Sequence, residues 1–538
     1  MQYFVKIAKS FSILLLLALT QVIANTNMSS SIIVVANEAH AATTSYSSNS
    51  DSSNATITKI QSINNNPPSL PAAPPAIIHR NTRAPTAIGG PTLNDPNLKV
   101  EQIINTGLKR TTSMAFLGPN DILVLGKETG KVHRILNGKI LPEPLLDVNV
   151  ASEAERGLLG IAIAKYEGNS NTQNGNTNAN TRHVFLYYTQ SGGGKDGDDE
   201  PKVSPAGTAT TTDTANSTSP NTRNSGVDSV SPAGNRLYRY DLDLDSNNKL
   251  TNPKLLLNLP ASPPPGREGT EKNHNGGKVL IGPDNNVYVG IGDVGGHRGR
   301  AENNPNGIAP DGTGGILRIT QDGQIVANPP LGNDTIPLAL YYAYGMRNTF
   351  GMDFDPITGN LWDTENGNTF GDEINLVHPG FNSGWSQVAG IWEAESKPGP
   401  AIGADTNNPP KYLVTFGGKG AYRAPELAAL QTIAPTAIKF LNSGKLGKQY
   451  ENTIFMGDVD FGNLYNFKLN ENRTGLVLDG PLADKIANNI QDLKEGGVVL
   501  GQGFGVITDI QVGPYDGYLY ILTLNGRIYR IIPSSSSS

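Results

Sequence analysis

A histidine and an aspartate flank one predicted β-hairpin and could together act as a general base. His274 comes just before the first strand, Asp293 comes just after the second, and the tight turn Gly282–Asn286 joins the two strands. Antiparallel pairing brings the outer ends of such strands together, so the carboxylate could orient and charge-tune the imidazole. The same pattern is also typical of a solvated loop histidine near an aspartate that caps a turn, and the rest of the chain must decide between the two.

A second candidate site follows the segment Tyr344–Asn348. Arg347 in this segment could stabilise an oxyanion or pair with an acidic neighbour, and a Gly-rich turn with Asp372 and Glu373 comes shortly after it. Backbone carbonyls with nearby carboxylates suit a hard cation such as Ca²⁺, which takes six to eight oxygen ligands. The spacing is not that of an EF-hand loop, so an exposed turn with ordinary acidic residues stays open as the alternative.

Composition removes several functional classes. The chain of 538 residues has no cysteine and a formal net charge of −6. Disulfides, thiolate metal sites and thiol nucleophiles are therefore excluded. The scattered basic residues form no electrostatic footprint for nucleic acid or for anionic lipid, which leaves small-molecule chemistry or protein contact.

The N-terminus predicts export. Lys6 and Lys9 precede an apolar run from Phe11 to Ala24 that is typical of a secretory signal peptide over residues 1–24. A secreted or extracytoplasmic protein, associated with the cell surface if the segment is retained as an anchor, follows from this. Residues 25–95 are rich in Ser, Thr, Asn and Pro and are expected to be a disordered tail, and residues 534–538 form a short serine tail.

A repeated pattern predicts the fold. A strand–turn–strand unit occurs six times, and each copy is completed by a short closing strand such as Gly130–Ile135 or Gly526–Ile531. Six such units predict an all-β chain that forms a six-bladed β-propeller with four-stranded antiparallel blades over residues 96–533. Two stacked β-sandwiches are the alternative, and the repeated closing strand argues against them.

Several motifs resemble a known enzyme family. The segments that carry the resemblance are ERGLLGIAIA (155–164), HNGGKVLIGPDNNVYVGIGD (274–293), YGMRNTFGMDFDPITGNLW (344–362), ENGNTFGDEINLV (365–377), NSGW (382–385) and ITDIQVGPYDGYLYILT (507–523). In order and spacing they resemble the soluble pyrroloquinoline quinone (PQQ)-dependent glucose and sorbosone dehydrogenases, including the aldose dehydrogenases. The resemblance implies a six-bladed propeller that oxidises aldose sugars to lactones and passes the electrons to an acceptor that the sequence does not identify.

The resemblance also implies roles at the reacting centre. His274 matches the general base that takes the proton from the sugar hydroxyl while hydride passes to the quinone, and Asp293 matches its orienting carboxylate. Arg347 and Asn348 match the residues that contact the quinone. Arg347 would stabilise the negative charge that develops there.

Two calcium sites are implied in the same way. The carbonyls of Gly367 and Asn368 match the ligands of the cofactor-bound Ca²⁺. Glu373 and Ser383 fall where the family places a structural calcium. The Ca²⁺ at the cofactor would act as a Lewis acid on the quinone.

The sequence departs from the family where the cofactor carboxylates are bound. The family uses a lysine and two arginines there, and the corresponding positions are Asp460, Val506 and Thr508. Each lost charge-assisted hydrogen bond is worth about 1.5 to 3 kcal/mol. The candidates to replace them from other loops are Lys127, Arg298, Lys419 and Arg423. A catalytically silent propeller that binds a cell-surface glycan or a protein partner is the alternative function.

Trp385 also has two interpretations. It follows Asn382–Gly384 and could line a platform for a sugar ring. A tryptophan wedged between two blades is the alternative.

Overall fold

The computed structural model describes residues 86–87, 89–164, 181–193, 232–243, 249–263, 272–296, 299–333, 336–391 and 413–534. All of them belong to one compact unit, Asn81–Ser538. The other unit, Met1–Arg80, lies outside the described residues, and so do the predicted signal peptide, most of the predicted tail and residues 535–538.

The described strands form six sheets, numbered here in chain order. Sheet one contains the strands Thr111–Gly118, Asp121–Gly126, Lys131–Leu136, Lys139–Ile140 and Leu146–Asp147. Sheet two contains Leu158–Ile163, Thr181–Ser191, Pro232–Asp243 and Leu250–Leu259. Sheet three contains Val279–Ile281, Val287–Ile291, Gly315–Ile319, Tyr341–Tyr344, Phe381–Asn382 and Ala421–Tyr422. Sheet four contains Thr349–Phe354, Leu361–Glu365, Asp372–Val377, Leu427–Ala429 and Ile486–Ala487. Sheet five contains Pro435–Phe440, Ile454–Asp458, Leu464–Phe467, Val499–Gln502 and Thr92–Leu93. Sheet six contains Ile507–Val512, Leu519–Thr523, Ile528–Pro533 and Leu98–Ile104.

The six sheets are arranged in a ring. The innermost strand of each sheet contacts the innermost strand of the next, and that of the sixth sheet contacts that of the first. Six apolar clusters each combine side chains of two neighbouring sheets; Val289 of sheet three, for example, shares a cluster with Phe185 of sheet two. The apolar face of every sheet is therefore buried against the next sheet, which explains why the strands read as nearly continuous apolar runs.

An early strand of the described chain closes this ring. Leu98–Ile104 pairs antiparallel with Ile528–Pro533, with Val100 opposite Ile531. The sixth sheet thus takes its outermost strand from near residue 100 and its other three strands from residues 507–533. In a chain without cysteine, this pairing fastens the two ends of the ring by hydrogen bonds and side-chain packing.

The all-β, propeller-type prediction is confirmed, and the closing strands occur where they were predicted. The prediction of uniformly four-stranded antiparallel blades is wrong, because four of the six sheets have five or six strands. The extra strands are two residues long, and those in sheets three and four pair in parallel. One of them, Thr92–Leu93, lies in the segment expected to be disordered and pairs with Gly501 and Gln502.

Helix is scarce in the described part of the chain. It consists of the α-helix Ile490–Glu495 and of the 3₁₀ turns Arg300–Glu302, Leu338–Leu340, Gly444–Leu446 and Gly480–Leu482. Among the described residues, none of these helices is long and apolar enough to cross a bilayer.

Candidate active site

His274 and Asp293 form a buried pair at one end of the hairpin of sheet three. The imidazole Nδ1 lies 2.5 Å from Asp293 Oδ1, and both side chains are buried. The hairpin continues beyond its strands, because the Gly277 amide donates to the Gly290 carbonyl at 2.9 Å. An ionised carboxylate only accepts hydrogen bonds, so the shared proton belongs to Nδ1 and the Nε2 lone pair is the basic atom.

Asp293 is held in its ionised form. Burial by itself would raise the pKa of this carboxyl, but hydrogen bonds and the neighbouring imidazole outweigh it, so the pKa lies below its ordinary value. Besides His274, the donors are the Gly296 amide, 3.1 Å from Oδ1, and the indole Nε1 of Trp385, 2.9 Å from Oδ2. The carboxylate can therefore stabilise an imidazolium without taking its proton.

The backbone of His274 is left-handed, with φ of 59°. A non-glycine residue adopts this conformation only where its surroundings fix it. The His274 amide donates to Glu155 Oε2 at 2.6 Å, and the His274 carbonyl accepts the Val294 amide at 3.2 Å. The side-chain amide of Asn348 donates to the same Glu155 oxygen at 3.0 Å. One carboxylate thus links the segments that enter sheets two, three and four.

Arg347 and Asn348 lie beside this pair. The Asp293 amide donates to the Arg347 carbonyl at 2.8 Å, which fastens the entry to sheet four against the hairpin of sheet three. The guanidinium lies with its Cζ 5.6 Å from the centre of the Trp385 ring and donates to two backbone carbonyls. Those carbonyls belong to Asn366, at 2.9 Å, and Gly367, at 2.6 Å.

The turn after sheet four's second strand therefore directs carbonyl oxygens at a positive charge. The resemblance implied the carbonyls of Gly367 and Asn368 as ligands of a Ca²⁺. In this structure the carbonyls of Gly367 and Asn366 accept from Arg347, and Asn368 is exposed. The Asn366 side-chain Oδ1 is buried, and no described residue hydrogen-bonds to it. Several oxygens around one positive charge are the ligands that Ca²⁺ prefers, so this turn fits a hard cation.

Glu373 and Ser383, the residues implied for a structural calcium, also lie together. The Ser383 hydroxyl lies 3.0 Å from Glu373 Oε2 and 2.8 Å from Glu365 Oε2, and it has one proton to donate. Burial raises the pKa of Glu365 to about 7, and burial with the charge of Glu365 raises that of Glu373 well above its usual range. This arrangement needs a shared proton or a cation between the two carboxyls. In the described part of the chain, no group of three or more His, Asp or Glu side chains is arranged so that it could hold a metal ion.

Comparisons with known proteins identify the family. The sequence model of glucose/sorbosone dehydrogenases matches residues 108–530, which is most of the chain. The chain belongs to the glucose/sorbosone dehydrogenase family. It is 32% identical over 203 residues to quinoprotein glucose dehydrogenase B of Acinetobacter calcoaceticus, covering 35% of this chain and 40% of that protein. It is 26% identical over 272 residues to the aldose sugar dehydrogenase YliI of Escherichia coli (strain K12), covering 48% of this chain and 60% of that protein.

Solved structures share the fold. The apo form of the soluble aldose sugar dehydrogenase from Escherichia coli matches with a TM-score of 0.54 at 21% identity, over 81% of this chain and 100% of that one. The PQQ-bound aldose sugar dehydrogenase from Streptomyces coelicolor matches with a TM-score of 0.51 at 19% identity, over 82% of this chain and 99% of that one. At these identities the likeness shows the glucose/sorbosone dehydrogenase fold alone.

The positions that lack the family's basic residues present no cation in this structure. Val506 is buried, and Thr508 hydrogen-bonds to a backbone carbonyl. Burial raises the pKa of Asp372 to about 6, and the negative charge of Asp460 adds to that rise. Arg423, one of the four residues considered as replacements, is engaged with His378 and Glu426.

The structure also describes Lys127, another of these four candidates. Its side chain is buried and its Nζ donates to the Ser152 carbonyl at 2.9 Å, on the segment that carries Glu155. Lys419 is exposed, and Arg298 lies outside the described residues.

Glu155 and Trp385 complete the site. Glu155 was not predicted as a member of it, and Trp385 was considered only as a sugar platform or as a wedge between blades. Glu155 precedes the innermost strand of sheet two, just as His274 precedes that of sheet three and Asn348 that of sheet four. This shared place in the repeat is the signal that could have identified Glu155. Trp385 lies on no innermost strand, and its contact with Asp293 follows only from the three-dimensional structure.

A further acidic group, Glu302, is fully buried and close enough to Asp293 to feel its charge. Its Oε1 is 3.0 Å from the Thr313 hydroxyl, which also lies 2.7 Å from Asp311 Oδ1. The hydroxyl has one proton, so it can donate to only one of these carboxyls at a time. Burial, with the charges of Asp293 and Asp311, raises the pKa of Glu302 to about 8.

Replacing Glu302 with glutamine should therefore flatten the pH dependence of stability. Because the native pKa is raised, the wild-type free energy of unfolding is highest below the ordinary pKa and falls as pH rises from about 4.5 to about 8, by roughly 4 kcal/mol. The introduced glutamine side chain can accept from the Gly299 amide and donate to Thr313 without ionising. Urea unfolding at pH 5 and pH 8 measures the slope, with Glu495→Gln on the exposed helix end as the control. A slope as steep in Glu302→Gln as in wild type would mean that Glu302 is ionised in the native state.

Proposed function

We propose that this chain is an aldose dehydrogenase that uses PQQ and Ca²⁺ to oxidise sugars to lactones. The observation that carries the proposal is the buried pair of His274 and Asp293 at 2.5 Å, next to Arg347 and Asn348. The family assignment supports sugar oxidation as the reaction class. The ring of six sheets supports reading each sheet as one blade of a six-bladed propeller, with the site at one mouth of its channel.

The base acts through its fixed tautomer. Asp293 holds the proton on Nδ1 of His274, so Nε2 can take the proton of the sugar's anomeric hydroxyl. The imidazolium that forms is stabilised by the ionised Asp293. The carbon that bore the hydroxyl then loses hydride and becomes the carbonyl carbon of the lactone.

The residues on the reacting side of the site support the choice of cofactor. When bound, PQQ with its Ca²⁺ would supply the hydride acceptor and a Lewis acid. Arg347 and Asn348 would contact the quinone, and the carbonyls of Gly367 and of Asn366 or Asn368 would hold the metal. Glu373 and Ser383, with Glu365, would hold a second Ca²⁺ as a structural ion. Asp460, Val506 and Thr508 offer no cation to the carboxylates of PQQ, and Lys127 would partly compensate their negative charge.

The setting of the activity is also part of the proposal. The predicted signal peptide over residues 1–24 supports a secreted or extracytoplasmic enzyme, with an N-terminal anchor if that segment is retained. An acidic chain without a basic patch supports a small-molecule substrate rather than nucleic acid. The electron acceptor would be an external carrier.

Dye reduction with a panel of aldoses tests the reaction. The purified chain is incubated with PQQ and Ca²⁺, and an artificial electron acceptor is followed with glucose and other aldoses, with the matching sugar alcohols as controls. Reduction with aldoses but not with sugar alcohols is expected, because only an aldose presents an anomeric hydroxyl. Chelation of calcium before PQQ is added should abolish it. Reduction that is independent of calcium, or equal with sugar alcohols, would contradict the proposed chemistry.

A silent propeller is the competing function. The observation in its favour is that Asp460, Val506 and Thr508 offer no cation to a trianionic cofactor. Such a protein would bind a glycan or a protein partner and would bind no quinone at any calcium concentration.

A further inference from the structure

Trp385 connects the base pair with the arginine beside it. Its indole Nε1 donates to Asp293 Oδ2 at 2.9 Å, and the Arg347 Cζ lies 5.6 Å from the centre of its ring. The side chain is half-buried. A single ring thus contacts both the carboxylate that serves His274 and the cation implied to serve the quinone.

The indole restricts how Asp293 can turn. Oδ1 accepts from His274 Nδ1 at 2.5 Å and from the Gly296 amide at 3.1 Å, and Oδ2 accepts from Trp385. Donors on both oxygens hold the carboxylate in one orientation. If the indole donor is lost, Oδ2 is left buried without that hydrogen bond, and rotation or protonation of the carboxyl becomes easier.

The loop that carries the indole is itself fixed by buried contacts. The Trp385 amide donates to the Gly345 carbonyl at 2.8 Å, and the Trp385 carbonyl accepts from the side chain of Asn303 at 2.8 Å. The next amide, that of Ser386, donates to the Glu302 carbonyl at 2.8 Å. The backbone that carries the ring is therefore held by hydrogen bonds on both sides, and the ring itself is placed by its contacts with Asp293 and Arg347.

We propose that Trp385 is a positioning residue that fixes the orientation of Asp293, and through it the His274 base, while its ring face supports the guanidinium of Arg347. The alternative interpretation of this tryptophan, a wedge between blades, leaves the donation to Asp293 without a role. The inference rests on the proposed function for its catalytic consequence, but its structural part can be measured without cofactor or substrate.

Trp385→Phe separates the donor from the ring. Phenylalanine keeps an aromatic face for Arg347 but has no N–H for Asp293. The matched control is Trp362→Phe, because Trp362 is fully buried and its Nε1 has no hydrogen-bond partner among the described residues. Both variants should fold, since each retains an aromatic ring in the same position.

The first readout is the ¹H NMR resonance of the proton between His274 Nδ1 and Asp293 Oδ1 in the cofactor-free chain, assigned by its absence in His274→Asn. In Trp385→Phe we expect this resonance to move and its exchange with solvent to accelerate by about tenfold or more, whereas Trp362→Phe should match wild type. The same resonance position and the same exchange rate in wild type, Trp385→Phe and Trp362→Phe would overturn the proposal.

The second readout is turnover with PQQ, Ca²⁺ and an aldose. Loss of an outer hydrogen bond that orients an active-site group commonly costs about 10 to 100-fold, and we expect a fall of that size in kcat with little change in the KM for the sugar. A rise in KM at unchanged kcat would make Trp385 a sugar platform and would contradict the positioning role. If wild type itself oxidises no sugar, the proposed function fails while the NMR result still decides the role of Trp385.

Discussion

Replacing His274 with asparagine is expected to lower kcat by about 10² to 10⁴-fold and to leave the fold intact. Asparagine has no group that can take a proton at neutral pH, so it removes the base. It is also among the residues that best tolerate the left-handed backbone, which His274 adopts with φ of 59°. Its side-chain amide can still donate to Asp293. Steady-state dye reduction and the midpoint of urea unfolding measure the two parts of this prediction.

His183→Asn is the matched control for that variant. His183 also lies near an aspartate, with its Nε2 3.5 Å from Asp241, but it is partly exposed on the second strand of sheet two. Its replacement should change neither kcat nor stability appreciably. Turnover in His274→Asn at the wild-type rate would remove His274 from the mechanism, and equal losses in both variants would point to a general effect of histidine loss.

Replacing Lys278 with methionine is expected to lower the free energy of unfolding by about 3 to 5 kcal/mol. Lys278 Nζ lies 2.7 Å from Asp509 Oδ1, and both side chains are almost fully buried. Lys278 comes just before the first strand of sheet three, and Asp509 lies in the first strand of sheet six; these two sheets lie on opposite sides of the ring. Methionine has a similar length but leaves the Asp509 charge without its counter-ion, although the Ser113 hydroxyl and the Met114 amide still donate to it.

Lys254→Met is the control for the ion pair. Lys254 lies 2.9 Å from Asp322, with both side chains substantially exposed, and such a pair contributes at most about 1 kcal/mol. Urea unfolding at one pH compares the two variants. A loss in Lys278→Met no larger than that in Lys254→Met would mean that the pair across the ring does not hold the opposite sheets together.

The strands were predictable because the signal is local. The hairpin that carries the candidate base shows an apolar run, a Gly-Pro-Asp turn and a second apolar run, and the structure has Val279 opposite Val289 as that pattern requires. The closing strand Gly526–Ile531 was found in the same way and lies within Ile528–Pro533 and its turn. The added strands, such as Ala421–Tyr422, are too short to show a period of two and pair only because other sheets bring them together.

The candidate site was predictable only in part, for a related reason. The approach of His274 to Asp293 follows from hairpin geometry, since 19 residues and one turn separate them. The contacts of Glu155 with His274 and of Trp385 with Asp293 join residues 119 and 92 positions apart, and no local pattern encodes them. The prediction about cofactor binding rested on single positions such as Asp460. The effect of such a position on the affinity for the cofactor depends on which cations the neighbouring loops supply.

Titration of the purified chain with PQQ at fixed excess Ca²⁺, followed by quinone absorbance, tests the central claim most directly. Wild type and His274→Asn should both bind PQQ saturably, because the base is not needed to hold the cofactor, and only wild type should then reduce dye when an aldose is added. This result would mean that residues such as Lys127 replace the missing basic contacts. An absorbance that does not change with either protein would contradict the account, and the search would turn to glycan or protein partners.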